Sequence, residues 1–171
     1  MILISCALMS EAIYIIEKYK LQPKEKSPKI YTNDMIVLVI TGIGKTKVIN
    51  SLEYIYAHYP IAKAINIGIA GIGIKEIPIG ELFCTTHKFE NIKYMRLKTV
   101  QKVKNSDIKE NCLYDMEGEF FYSLSQKHIS KNNIYIYKIV SDHLDLGNNI
   151  PNKEFVKQLV KNGVDKLDFL D

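Results

Sequence analysis

Two short apolar segments, each ending in an acidic residue, constrain the fold of this 171-residue chain more than any other feature. The first covers residues 113–117 and the second residues 134–142, and a segment of helical periodicity separates them. The 25 residues from Glu117 to Asp142 leave room for a helix and a returning strand, as in a βαβ crossover. Because parallel strands end at one edge of a sheet, where open α/β folds bind ligands, we expect the two carboxylates to converge there.

A capping role is the alternative interpretation of each acid. Acidic residues that follow a strand often cap the next helix, and they favour the positive end of the helix dipole. For Glu117 or Asp142 alone this interpretation is at least as good as a functional one. The pair, taken with the motifs below, favours a chemical site.

The remaining pattern predicts an α/β fold of three layers, with a central mixed, largely parallel sheet flanked by helices. A strand over residues 1–5 leads into a helix that begins near residue 9 and carries Glu11 in its first turns. Further predicted elements are a turn over residues 23–28, a hairpin at residues 33–34, strands over 64–69, 82–86 and 94–100, a polar loop over 101–110 and a helix over 152–170. We expect residues 1–171 to form a single domain.

Composition excludes several classes of function. The net charge is +4, but the basic residues are spread along the chain and give no nucleic-acid-binding patch. The three cysteines and four histidines lack the spacing of a zinc site or a disulfide framework, so we expect no metal. No signal peptide or membrane span is predicted. These features indicate a soluble, cytoplasmic protein without nucleic-acid or membrane partners.

Two glycine-rich turns follow predicted strands and need to be distinguished from nucleotide-binding loops. The turn at residues 41–46 ends like a Walker A loop, but position 39, where that loop requires glycine, is Val39. The turn at residues 68–73 has the wrong glycine order for a dinucleotide fingerprint. We therefore expect no cofactor, although the first turn, which begins at Thr41, offers backbone N–H groups to an anion or a hydroxyl.

Taken together, the motifs resemble the nucleoside phosphorylase and nucleosidase superfamily, and among its members most closely the 5′-methylthioadenosine/S-adenosylhomocysteine nucleosidases. Each motif alone is weakly specific, but all occur in the family's order and span most of the chain. The matching segments are residues 5–11, 41–45, 66–71 (Asn-Ile-Gly-Ile-Ala-Gly), 79–81, 116–117 (Met-Glu) and 141–142 (Ser-Asp).

The resemblance implies hydrolysis of the N-glycosidic bond of a purine nucleoside such as methylthioadenosine or adenosylhomocysteine. It implies that Asp142 protonates or hydrogen-bonds the purine N7 and that Glu11 activates or positions the attacking water. Glu117 would hold the ribose hydroxyls. The remaining substrate-binding residues are expected to be Met116 beneath the sugar, Ala70 and Gly71 in the pocket wall, Ser141 and Thr41.

Chemistry supports two carboxylates in such a site. An oxocarbenium-like sugar is stabilised by a nearby negative charge, and the departing base needs a proton. Phosphorolysis would instead need cations for a phosphate dianion, and Arg96 is the single arginine of the chain. Water is therefore the expected nucleophile.

Several alternatives stay open at this point. The chain is shorter than typical family members between Gly80 and Met116, the region that supplies a base-stacking aromatic and part of the dimer contact. Phe89 and Tyr94 are candidates for the stacking role, and a homodimer is expected from the resemblance. The alternative functions are a purine nucleoside phosphorylase, a non-catalytic nucleoside-binding or interaction protein of the same fold, and an unrelated α/β enzyme that binds a phosphorylated sugar.

Overall fold

The computed structural model describes residues 1–101, 110–145, 151–167 and 169. Within these ranges the α-helices are α1 (Met9–Lys18), α2 (Lys45–His58), α3 (Gly118–Ser125) and α4 (Lys153–Val164). The strands are β1 (Ile2–Cys6), β2 (Gln22–Lys26), β3 (Lys29–Thr32), β4 (Ile36–Ile40), β5 (Lys63–Ile72), β6 (Leu82–Cys84), β7 (Lys93–Tyr94), β8 (Arg96–Thr99), β9 (Cys112–Asp115) and β10 (Ile134–Asp142).

One mixed sheet contains all ten strands, in the order β2-β3-β4-β1-β5-β10-β6-β7, with β9 on β5 and β8 on β9. Its centre is parallel, since β4, β1, β5 and β10 run in the same direction. The hairpins β2-β3 and β3-β4 and the pair β10-β6 are antiparallel. The expected fold class is therefore confirmed.

Helices cover both faces of the sheet. Alternate residues of the central strands point to opposite faces. One core joins β1, β5 and β10 to α1 and α4, and the second joins β1, β4 and β10 to α2 and α3. Helix α4 begins at a capping residue, since the side chain of Asn152 accepts hydrogen bonds from the backbone N–H groups of Glu154 and Phe155. None of the helices in the described ranges is long and apolar enough to cross a membrane.

The predicted order of elements is largely confirmed, with two exceptions. Residues 22–26 form the exposed edge strand β2 instead of a turn, because pairing with β3 outweighs the weak strand propensity of Gln-Pro-Lys-Glu-Lys. The second exception is β9, which runs antiparallel to β5, whereas β10 runs parallel to it. The two strands flank β5 and do not form a parallel crossover. The helix predicted over 152–170 ends earlier, since α4 ends at Val164 and residues 165–167 are not helical. Most of the predicted loop over 101–110 lies outside the described residues, as do residues 168, 170 and 171.

Candidate active site

Glu11 lies at the centre of a buried polar cluster above Gly68. It is 3% exposed, and its Oε2 accepts hydrogen bonds from the N–H groups of Ala7 and Leu8, both at 2.9 Å. Its Oε1 accepts one from the N–H of Ile69 at 3.0 Å. Burial raises the pKa of Glu11, and Lys138 and the three backbone donors partly offset that effect. The carboxylate is thus both buried and fixed in orientation.

Lys138 and Asp115 form a buried ion pair beside Glu11. Lys138 Nζ lies 2.8 Å from Asp115 Oδ2, and both side chains are at least 98% buried. Asp115 also accepts hydrogen bonds from Thr99 Oγ1 at 2.6 Å and from the N–H of Gly118 at 2.8 Å. Burial alone would lower the pKa of Lys138, but three neighbouring carboxylates hold it above its usual value. The lysine is therefore charged, and it balances part of the negative charge of the cluster.

Glu117 is the third carboxylate near Lys138. It is 8% exposed, and its Oε1 accepts a hydrogen bond from the N–H of Gly44 at 3.1 Å. That donor precedes α2, so the glycine turn meets the cluster through its backbone, as expected for an anion. Burial raises the pKa of Glu117 to about 7, and Asp115 and Glu11 add to the shift against the opposing effects of Lys138 and Gly44.

Asp142 lies at the end of β10, opposite Gly71 of β5. Its Oδ2 accepts a hydrogen bond from Ser141 Oγ at 2.6 Å, and its Oδ1 accepts one from the N–H of Leu144 at 2.9 Å. A register shift between Val140 and Asp142 marks a β-bulge, a device that re-aims side chains next to active sites. From Gly68 to Gly71 the strand advances about 10 Å. Asp142 and the Lys138 cluster therefore mark the two ends of one stretch of β5.

The antiparallel direction of β9 explains how Glu117 reaches this stretch. Tyr114 pairs with Gly71, so residues 115–117 run back along β5 toward Gly68. The expected parallel crossover between the two strands is thus wrong, because β9 is antiparallel to β5 and β10 is parallel to it. Glu117 joins Glu11 and Lys138, and Asp142 lies apart from them along β5.

The other predicted substrate-binding residues have different surroundings. Ala70 is buried in β5, and its carbonyl accepts a hydrogen bond from Ser141 Oγ at 3.3 Å. Met116 lines a cavity of about 300 Å³ at the start of α2, next to Gly44. Thr41 Oγ1 donates to the carbonyls of Gly42 at 2.9 Å and Cys6 at 3.4 Å, so its hydroxyl stabilises the turn.

The two aromatic candidates for base stacking lie elsewhere. The ring of Phe89 stacks against Tyr135 and Tyr137. Tyr94 pairs with Cys84, which pairs with Tyr137 in turn. Tyr137 lies opposite Ile67, and Asp142 lies opposite Gly71, four residues further along β5, so the level of Tyr137 is about 13 Å from Asp142 along the sheet. Neither ring is placed to stack on a base held by Asp142.

Sequence reasoning missed Lys138 and Asp115. A signal for Lys138 was present, since a single lysine in the apolar run of residues 134–140 has to be buried with a partner. Asp115 directly precedes the Met116-Glu117 motif, and the sequence contains no separate signal that singles it out as a site residue. Among the described residues there is no cluster of three or more histidine, cysteine, aspartate or glutamate side chains that would hold a metal ion.

The fold of this chain is similar to that of several solved nucleosidases and a hydrolase. The chain is similar to the 5′-methylthioadenosine/S-adenosylhomocysteine nucleosidase of Streptococcus pneumoniae in complex with 8-aminoadenine, with a TM-score of 0.80 and 17% identity over 96% of each chain. It is also similar to two proteins of Helicobacter pylori, each with a TM-score of 0.79 and 14% identity over 96% of this chain and 94% of the other. These are futalosine hydrolase and the nucleosidase with butyl-thio-DADMe-Immucillin-A.

At these identities the similarity establishes the fold, and the resemblance drawn from the motifs is confirmed at that level. No protein-family model matches the sequence. A comparison with curated proteins also finds no match.

Gly71→Ala is expected to disturb Asp142 directly. A Cβ at this position would lie 2.9 Å from Asp142 Oδ1 and 2.5 Å from Leu144 Cδ2, so both groups would have to move. We expect the initial rate of the reaction to fall at least tenfold. Circular dichroism should show that the fold is retained. Gly163→Ala is the control, because its Cβ would crowd Ile139 at 2.8 Å and would meet neither Asp142 nor Leu144. Equal rates for Gly71→Ala and the parent would contradict this placement of Asp142.

Glu117→Gln is expected to change how stability depends on pH. The folded-state pKa of about 7 exceeds the ordinary value of 4.5, so Glu117 contributes stability below pH 4.5 that is lost as pH rises through 7. By the free-energy equivalent of a pKa shift, that loss is about 3 kcal/mol. Glutamine has no charge to bury, so the variant should gain stability relative to the parent between pH 5 and pH 8.

Urea unfolding at pH 5 and pH 8 measures this difference. Glu119→Gln is the control, because Glu119 is an exposed neighbour. If the difference in stability between Glu117→Gln and the parent is the same at both pH values, burial does not raise the pKa of Glu117 as described.

Proposed function

We propose that this protein hydrolyses the N-glycosidic bond of a purine nucleoside such as methylthioadenosine or adenosylhomocysteine. The observation that carries the proposal is the arrangement along β5. Glu11, Glu117 and Lys138 lie near Gly68, and Asp142 lies opposite Gly71, about 10 Å further along the strand. In this proposal the sugar of the nucleoside faces the carboxylates and the base faces Asp142.

In this proposal Asp142 acts on the leaving base. Cleavage leaves electrons on the purine, and a proton or hydrogen bond at N7 makes the base a better leaving group. Ser141 Oγ and the N–H of Leu144 each hold one oxygen of Asp142, so the carboxyl group is oriented before substrate binds. Ala70 and Gly71 form the adjacent wall.

The buried carboxylates act on the sugar and the nucleophile. Glu117, with Met116 beside it, holds the ribose hydroxyls, and the turn from Thr41 to Gly44 supports Glu117 through its backbone. Glu11 takes the proton of the attacking water, and burial, which raises the pKa of its carboxyl group, makes it a stronger base. The net negative charge of the cluster stabilises the oxocarbenium-like transition state.

Charge also favours water over phosphate. Three carboxylates surround the single ammonium group of Lys138, so a phosphate dianion would meet net repulsion there. Arg96 is exposed on β8, opposite Cys112 in the register, while Asp115 is opposite Thr99. The arginine is therefore about 10 Å along the strand from the level of the cluster.

The similar solved structures support the proposed hydrolysis, and the cysteines support a cytoplasmic location. The similar solved structures are nucleosidases and a hydrolase, one of them in complex with 8-aminoadenine. Cys6, Cys84 and Cys112 are free and buried, which is consistent with a reducing cytoplasm. We also propose that the protein is a homodimer, which sedimentation velocity tests. We further propose that residues 1–171 form a single domain, which limited proteolysis tests.

The test is incubation of the purified protein with methylthioadenosine, adenosylhomocysteine, adenosine and inosine, each with and without phosphate, followed by chromatography of base and sugar. Base release independent of phosphate is the expected result. Release only with phosphate would assign a phosphorylase instead. If no nucleoside is cleaved but one raises the melting temperature, the protein is a non-catalytic nucleoside-binding member of the fold.

A further inference from the structure

Leu144 has an unusual backbone conformation two residues after Asp142. Its φ is +61°, in the left-handed region that non-glycine residues rarely adopt. Among the described residues, Lys20, with φ of +52°, is the one other non-glycine residue with positive φ. Such conformations persist only where the surroundings hold them, and they concentrate at functional sites.

The side chain of Leu144 provides that hold. It is 4% exposed and packs in a small cluster with Cys112 and Tyr114 of β9. It also covers Gly71, where an added Cβ would lie 2.5 Å from Leu144 Cδ2. Leu144 is therefore anchored to both β5 and β9, while the chain turns away at this residue.

The backbone of Leu144 holds the carboxylate of Asp142. The N–H of Leu144 donates to Asp142 Oδ1 at 2.9 Å, which closes an Asx turn. Next to it, His143 is fixed by a hydrogen bond between its Nε2 and the carbonyl of Ile77 at 2.9 Å. Rotation of the Asp142 side chain would break the bond to Leu144 and the bond from Ser141 Oγ.

We propose that Leu144 is a positioning residue for Asp142. Its buried side chain anchors the left-handed turn, and the turn keeps the N–H group on Oδ1 of the carboxylate. The inference rests on the proposed function, because it assumes that the orientation of Asp142 limits base release. Leu144 itself acts only through Asp142.

Two substitutions separate backbone conformation from apolar burial. Leu144→Met keeps a long apolar side chain without β-branching, whereas Leu144→Val keeps an apolar side chain but disfavours positive φ. We expect kcat to fall about tenfold or more for Leu144→Val and to stay within threefold for Leu144→Met, with KM changed less than twofold in both. Lys20→Val is the matched control, because it places the same β-branched residue at the other positive-φ position, and its kcat should equal that of the parent.

Amide hydrogen exchange at residue 144, followed by NMR, tests the inference without any activity. The amide should be protected in the parent and in Leu144→Met, and should exchange at least tenfold faster in Leu144→Val. Equal protection in all three proteins would overturn the inference, as would equal kcat values for folded Val and Met variants of an active parent. If the parent releases no base, the proposed function fails, and the exchange result alone decides the role of Leu144. If Leu144→Val does not fold, the same comparison is made between Leu144→Met and Leu144→Ala, which removes the anchor.

Discussion

Asp142→Asn is expected to lower kcat for base release by about 10²–10⁴-fold, the usual contribution of a general acid. Asparagine has nearly the same shape and retains an oxygen that accepts the hydrogen bond from the N–H of Leu144, so the turn should survive. What it lacks is a carboxyl proton that can be transferred to the departing purine. KM should change little, because the loss falls on the transition state.

Initial rates of base release and the melting temperature measure this effect together. Asp145→Asn is the matched control, since Asp145 is an exposed neighbour that only accepts a hydrogen bond from the N–H of His143 at 3.3 Å. The control should keep the parental rate. If Asp142→Asn retains the activity of the parent, Asp142 is not a catalytic residue.

Lys138→Met should produce the largest loss of stability. Removing one partner of a buried ion pair leaves an uncompensated buried charge, at a cost of about 3–5 kcal/mol. In the parent the Lys138 ammonium group lies 2.8 Å from the buried Asp115 carboxylate. In the variant Asp115 would stay buried without this partner, and Glu11 and Glu117 would also lose the neighbouring positive charge. For a domain of this size the melting temperature should fall by about 6–20 °C at pH 8.

Lys157→Met is the control for this experiment. Lys157 pairs with Glu17 at 3.3 Å on the surface, and such exposed pairs contribute about 1 kcal/mol or less. The loss in Lys138→Met should shrink toward pH 5, where the carboxylates with raised pKa values become protonated. Equal melting temperatures for the two variants at pH 8 would mean that the buried charges are not coupled as described.

The sequence predicts this fold well where local patterns decide the structure. Glu11 follows a strand and opens a helix, and the hairpin at residues 33–34 has turn residues of its own, so both could be placed from short segments. Strand β2 could not be placed in this way. Its residues have poor strand propensity and pair only because β3 supplies a neighbouring edge.

The direction of β9 illustrates a different limit. Periodicity and connection length show that a strand, a helix and a strand follow one another, but they do not show on which side of β5 each strand pairs. Because β9 is antiparallel, Glu117 approaches Glu11 and Lys138 instead of Asp142. Lys138 was overlooked for a related reason, since its partner Asp115 is contributed by another strand.

The measurement that tests the proposed hydrolysis most directly is base release in water enriched in ¹⁸O, with phosphate present and the released sugar analysed by mass spectrometry. If water is the nucleophile as proposed, the sugar analysed at early times, before its anomeric oxygen exchanges with water, carries one ¹⁸O atom at the anomeric carbon, and no sugar phosphate forms. A sugar phosphate, or no release of base from any purine nucleoside by the folded protein, would contradict the assignment.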